Sequence, residues 1–247
     1  MFGALPYLLL LFWLGLSSAS RGDNVVVTNS GPIQGKHIMT DSGMVTAFLG
    51  IPYAEPPVGE LRFQKPHPHQ PWSHTLKATS FGNSCHQESS VLPTYHQVLD
   101  PDPTLSVSED CLFLNIWVPH PQPSAPAPVF VWVHGGAFFM GTGSYDKSLL
   151  AATENIIVAS MNYRLGALGF LALPPSAPGN AGLWDQHLAL RWLKENIAAF
   201  GGDPTRLTLG GQSAGSASVG FHLLSPVSQH VFAQATLQSG AAISPWA

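Results

Sequence analysis

The chain has 247 residues, 45 % of them hydrophobic, with 14 acidic against 10 basic side chains and a formal charge of −4. That length and apolar content are enough to bury one large core, which excludes a linker or a disordered chain. No run of Lys or Arg supplies the electrostatic footprint that a phosphate backbone requires, so nucleic acid is excluded as a partner.

From Leu5 to Leu16 the sequence is almost wholly apolar, and it then turns to Ser17-Ser18-Ala19-Ser20, small side chains of the kind a signal peptidase accepts. Residues 1–20 are read as a secretory signal, leaving 21–247 as one globular domain, or part of a bigger one, that reaches the extracellular space through the endoplasmic reticulum. The alternative is a buried N-terminal segment. The run is too short to cross a bilayer, so no stable membrane span is expected. Arg21-Gly22-Asp23 spells an adhesion tripeptide that three residues make a chance match. Cys85 and Cys111 are the whole cysteine inventory. In an oxidising route an even pair reads as one disulfide, against the alternative of two unpaired buried thiols. No metal site and no cofactor are expected.

Val25-Val26-Val27 and Val45 to Leu49 read as short strands between Gly and Pro turns. Leu112 to Val118, Val129 to Val133 and Ile156 to Met161 are continuous apolar, β-branched runs of the kind found in strands buried on both faces. Pro119 to Pro128 reads as a proline-rich surface loop. Between Leu183 and Phe200 the apolar positions Leu183, Leu188, Trp192, Leu193, Ile197 and Phe200 fall at helical spacing, and Gly201-Gly202 supplies the stop. Leu207-Thr208-Leu209 reads as a strand, Ala214 to Leu224 as a helix ended by Pro226, and Gln234 to Leu237 as a last strand. Strands alternating with helices predict an α/β fold built on a mostly parallel sheet flanked by helices.

Gly211-Gln212-Ser213-Ala214-Gly215 falls where that strand turns into that helix. A G-x-S-x-G sequence in this setting is a nucleophile elbow, a strained turn that its glycines permit and that presents the serine hydroxyl at the N-terminus of a helix. Ser213 is the predicted nucleophile, and the Ala214 N–H a predicted donor to an oxyanion, aided by the helix dipole. Upstream, His134-Gly135-Gly136-Ala137-Phe138 follows the strand ending at Val133 and offers backbone N–H groups for the same purpose. A serine becomes a nucleophile only when a base takes its proton and an acid orients that base. Residues 214–247 contain His222 and His230 but no Asp or Glu. These two histidines and His134 are read as structural or solvent-facing.

Tyr53-Ala54-Glu55-Pro56-Pro57-Val58-Gly59, Ser108-Glu109-Asp110-Cys111-Leu112, Met161-Asn162-Tyr163-Arg164, Phe200-Gly201-Gly202-Asp203-Pro204 and the elbow together resemble the type-B carboxylesterase and cholinesterase family. Gln70-Pro71-Trp72-Ser73, Ala198-Ala199-Phe200 and Pro245-Trp246-Ala247 look like its acetylcholinesterases. The resemblance covers essentially all of the chain after the signal and implies the N-terminal half of an α/β-hydrolase domain. It also implies hydrolysis of small carboxylic esters through an acyl-serine intermediate. Carried over by motif, Ser213 is the nucleophile, Gly136, Ala137 and Ala214 the oxyanion donors, and Trp246 a wall of the acyl pocket. Cys85 and Cys111 match the family's first disulfide loop, and Glu109 with Arg164 resembles a structural ion pair.

The departures bear on substrate and activity. Gln212 stands where cholinesterases carry glutamate, and Pro101 where they carry the tryptophan that stacks on choline. Ala137 stands where they have glycine, which adds a methyl beside the oxyanion site. The family's triad acid and histidine lie in a C-terminal half expected to be required for activity, so the chain alone is expected to be inactive. The alternative expectation is a secreted, non-catalytic binding or adhesion protein on the same fold.

Overall fold

The computed structural model describes residues 24–87 and 106–247. The proposed signal sequence and Pro101 lie outside these residues. Two hairpins open the chain: β1 (Val25–Thr28) with β2 (Gly31–Gln34), then β3 (Lys36–Thr40) with β4 (Gly43–Pro52). Short strands β5 (Leu76–Lys77), β6 (Ser84–Cys85) and β7 (Val107–Ser108) follow. The long strands β8 (Phe113–His120) and β9 (Ala127–Val133) come next, then α1 (Ser148–Glu154), β10 (Ile157–Met161) and the short α2 (Gly166–Phe170). After a small hairpin, β11 (Ala172–Leu173) and β12 (Ala177–Pro178), the chain runs through α3 (Ala181–Asn196), β13 (Gly202–Gln212), α4 (Ala214–Leu224) and β14 (Gln234–Gln238).

Seven strands form one sheet in the order β14-β13-β9-β10-β8-β4-β3. The pairings from β14 to β10 are parallel and those from β10 to β3 antiparallel. The expectation of a parallel sheet thus describes the half that carries the elbow, where helices connect the strands. The other half begins with the β3–β4 hairpin, whose tight turn permits only antiparallel pairing. The loop expected over 119–128 is shorter than read, because β8 continues through Pro119 to His120 and β9 starts at Ala127.

Alternation along the central strands feeds two cores. Leu114, Ile116 and Val118 of β8, Val129, Val131 and Val133 of β9, and Ile157, Ala159 and Met161 of β10 all face one side. There they meet Leu188, Ala189, Trp192 and Leu193 of α3 and Val219 of α4. Trp117 and Val158 face the other side, against Ala151 of α1. Strands covered on both faces need apolar residues at every position, which is why these stretches show no polar alternation in the sequence. The helix of residues 181–196 extends through a 3₁₀ turn to Phe200 and stops at Gly201, whose φ of 84° suits glycine.

Candidate active site

The elbow is built by close approach of backbones. Ser213 sits at φ 55°, ψ −121°, a conformation costly for any residue with a Cβ. A Cβ on Gly211 would collide with the Gly215 carbonyl, and one on Gly215 with the carbonyls of Val133 and His134. The strain is held by bonds on both sides: the Ser213 N–H donates to the Gln238 carbonyl at 2.8 Å, and the Ala217 N–H to the Ser213 carbonyl at 2.9 Å. Parallel strands β9 and β13 end side by side, with Gly211 opposite Val133, so the loop after β9 lies next to the elbow.

That loop has three successive positive φ values, 112° at Gly136, 52° at Ala137 and 62° at Phe138. It closes tightly: the N–H groups of Phe139 and Met140 both donate to the Gly136 carbonyl, at 2.9 and 3.0 Å. A side chain at Gly135 would come to 3.2 Å of Ser213 Cβ. Among the described residues, the N–H groups of Gly136, Ala137 and Ala214 donate to no protein acceptor. Ser213, Gln212, Gly136 and Ala137 line one cavity of about 1380 Å³, walled elsewhere by Trp132, Tyr145 and Leu165. Ala214 is fully buried behind it at the first position of α4. Gly136 is half-buried and Ala137 exposed, so the unused buried N–H is that of Ala214, and a buried donor left unused is rare and calls for an acceptor.

The histidines are engaged elsewhere. His134 is buried and stacked on Tyr163 at 4.3 Å, with Nδ1 2.8 Å from the Gly135 carbonyl oxygen and Nε2 without a partner among the described residues. Burial pushes its pKa down to about 4, so the ring is neutral and its Nδ1–H donates. His222 is buried between Ser228 and Gln186, also pushed down to about 4 by desolvation. His230 is exposed. No histidine among the described residues is hydrogen-bonded to Ser213. Trp246 is not part of the cavity lining; it is 51 % exposed, with its ring edge against Gly240.

Cys85 and Cys111 form the expected disulfide. Its neighbour Gln87 braces the loop after β9 at its exit, accepting from the Gly141 N–H at 2.8 Å and donating to the Gly141 carbonyl at 2.9 Å. The expected Glu109–Arg164 pair is corrected. Glu109 instead receives Nε and Nη2 of Arg62 at 2.6 and 2.7 Å, and Arg164 binds Asp185 through Nε at 2.8 Å and Nη2 at 2.6 Å. The reason is depth: Arg164 and Asp185 are 3 % and 0 % exposed, whereas Arg62 and Glu109 stand at the surface. A buried guanidinium needs a fully buried, fork-matched carboxylate, and the helix α3 delivers Asp185 there. Burial raises the Asp185 pKa while the Arg164 guanidinium pulls it back.

Sequence reasoning missed what the Met161-Asn162-Tyr163-Arg164 stretch does. Asn162 Oδ1 accepts from the Gly143 N–H at 2.7 Å and from Thr142 Oγ1 at 3.0 Å, and the Tyr163 hydroxyl donates to the His134 carbonyl at 2.9 Å. All four residues are buried, and three of them support the loops around the cavity or the adjoining ion pair. A buried polar cluster directly after an apolar strand was the available signal.

A doubly covered sheet, an elbow serine at a helix N-terminus and a facing loop of unused amides define an α/β-hydrolase-type site. The carboxylesterase family model matches residues 22–247. A cholinesterase of Mus musculus is 49 % identical over 249 residues, covering 98 % of this chain and 41 % of that protein. The chain therefore belongs to the carboxylesterase family, and it spans about two fifths of the length of this curated relative. No helix among the described residues is long and apolar enough to cross a membrane, and these residues contain no cluster of three or more His, Cys, Asp or Glu side chains placed to hold a metal ion.

Proposed function

We propose that this chain carries the nucleophile and oxyanion half of a secreted serine ester hydrolase. The observation that supports it is that Ser213, Gly136 and Ala137 line one cavity with Ala214 directly behind Ser213, and that among the described residues no protein group accepts from the N–H groups of Gly136, Ala137 and Ala214. In the proposed reaction Ser213 Oγ forms a bond to the ester carbonyl carbon while its proton passes to a base, and the carbonyl oxygen takes the negative charge beside the three amides. Collapse breaks the C–O bond to the alcohol, which leaves with that proton, and water then hydrolyses the acyl-serine. The base and its orienting acid come from polypeptide beyond the residues described, in line with the two-fifths coverage of the mouse relative. The isolated chain is therefore inactive towards esters.

The relative's name points to choline esters, but Gln212 lines the cavity without a charge, so uncharged esters are the favoured class here. Trp246 is proposed to close the acyl side only after that further polypeptide orders it. A non-catalytic binding role on the same fold draws support from the commitment of His134 and His222 to other partners. A fluorophosphonate probe decides between them. Labelling of the secreted protein that is lost in Ser213→Ala is expected; a folded, complete protein that never labels would overturn the hydrolase reading in favour of binding.

A further inference from the structure

Behind the elbow runs a line of buried polar side chains that neither the cavity nor the oxyanion loop accounts for. Gln186 of α3 lies with Oε1 2.9 Å from His222 Nε2 and Nε2 3.1 Å from Ser218 Oγ. Ser218 Oγ donates to the Ala214 carbonyl at 2.8 Å. On the far side of the ring, His222 Nδ1 lies 3.1 Å from Ser228 Oγ, which is in turn 2.9 Å from His187 Nδ1. Gln186 and Ser218 are 0 % exposed, Ser228 1 % and His222 3 %.

The direction of every bond follows from one assignment. A carboxamide oxygen only accepts, so His222 carries its proton on Nε2 and its Nδ1 accepts from the Ser228 hydroxyl. Ser228 then accepts from His187 Nδ1–H, and at the other end the Gln186 amide donates to Ser218. The line runs one way from His187, beside a surface pocket of about 150 Å³, to the carbonyl of the residue that follows Ser213. Buried polar groups are costly unless satisfied, and a fully satisfied line fixes the elements it joins.

We infer that His222, Gln186 and Ser218 are positioning residues that hold the first turn of α4, and with it the Ala214 N–H, in register with Ser213. Their effect on an oxyanion rests on the hydrolase reading; their effect on the helix does not. Hydrogen exchange of the peptide covering residues 213–224 tests it. Ser218→Ala, which removes one hydroxyl, and His222→Leu, which keeps apolar volume, are expected to speed exchange of the first turn about tenfold, the size of one lost buried bond. His222→Gln places an amide N–H where the ring Nε2–H stood and is expected to exchange like the wild type. Unchanged exchange in Ser218→Ala, or equal acceleration in both His222 variants, would overturn the inference. Should His222→Leu fail to fold, Ser218→Ala decides alone. Fluorophosphonate labelling of the same variants in the complete protein is scored separately: a folded, complete wild type that never labels refutes the hydrolase reading and leaves the exchange result standing.

Discussion

Gly215 shows how tightly single residues are specified around the elbow. Its Cα lies against the carbonyls of Val133 and His134, so even a methyl must displace backbone. Gly215→Ala is expected to lose about 3 kcal/mol, read as a shift in the denaturant midpoint, because a backbone collision has no rotamer to escape into. A second residue-scale expectation concerns Asp185. Asp185→Asn leaves Arg164 charged, buried and unpaired, at a cost of about 3 to 5 kcal/mol, whereas Glu109→Gln removes a surface partner and costs about 1 kcal/mol or less. Urea titration of the two variants checks the contrast; equal effects would contradict the assigned pairing. The glycines of the elbow are legible from spacing alone, since their requirement is local. Asp185 is not, because an acidic side chain at this point of a helix reads as a solvated face until α3 is docked against the strand ends.

At the scale of elements, the histidines tie α4 and the loop after β9 to pH. His134 and His222 both have folded pKa values of about 4 against an unfolded value near 6.5, through desolvation of the charged ring. Both are neutral in the fold, so the stability they preserve is complete above pH 6.5. It is lost as the pH falls through about 4, because the unfolded chain binds protons first. Each ring accounts for roughly 3 kcal/mol across that interval. Thermal melts are expected to fall steeply between pH 6.5 and 4, and His222→Gln is expected to flatten part of the slope; a flat wild-type profile would show the rings to be solvated. Which elements exist was largely readable: the doubly buried strands from unbroken apolar runs, α3 from its 3.6-residue spacing, and α4 from the elbow and Pro226. Their ends were less so, as at His120, because a strand can run on through Pro119 where the ladder needs no donor.

For the whole molecule, the sheet ends on two strands with free edges among the described residues, β3 and β14. Beside β14, Leu224, Val227, Ile243 and Trp246 are 73, 54, 91 and 51 % exposed. An unpaired edge next to apolar side chains favours pairing with another chain. The isolated chain is expected to self-associate, with light scattering that rises with concentration; a soluble monomer with a cooperative melt would refute this.

The sequence by itself determined the class of fold, the element types and the identity of the elbow, because periodicity, turn glycines and a strand-turn-helix serine act over a few residues. The tertiary structure alone decided which arginine meets which carboxylate and that the sheet is half antiparallel. It also decided that His222 faces Gln186, 36 positions away, rather than the cavity. Those outcomes depend on how helices dock on a twisted sheet and on which groups that docking removes from water, and no short stretch of chain encodes either.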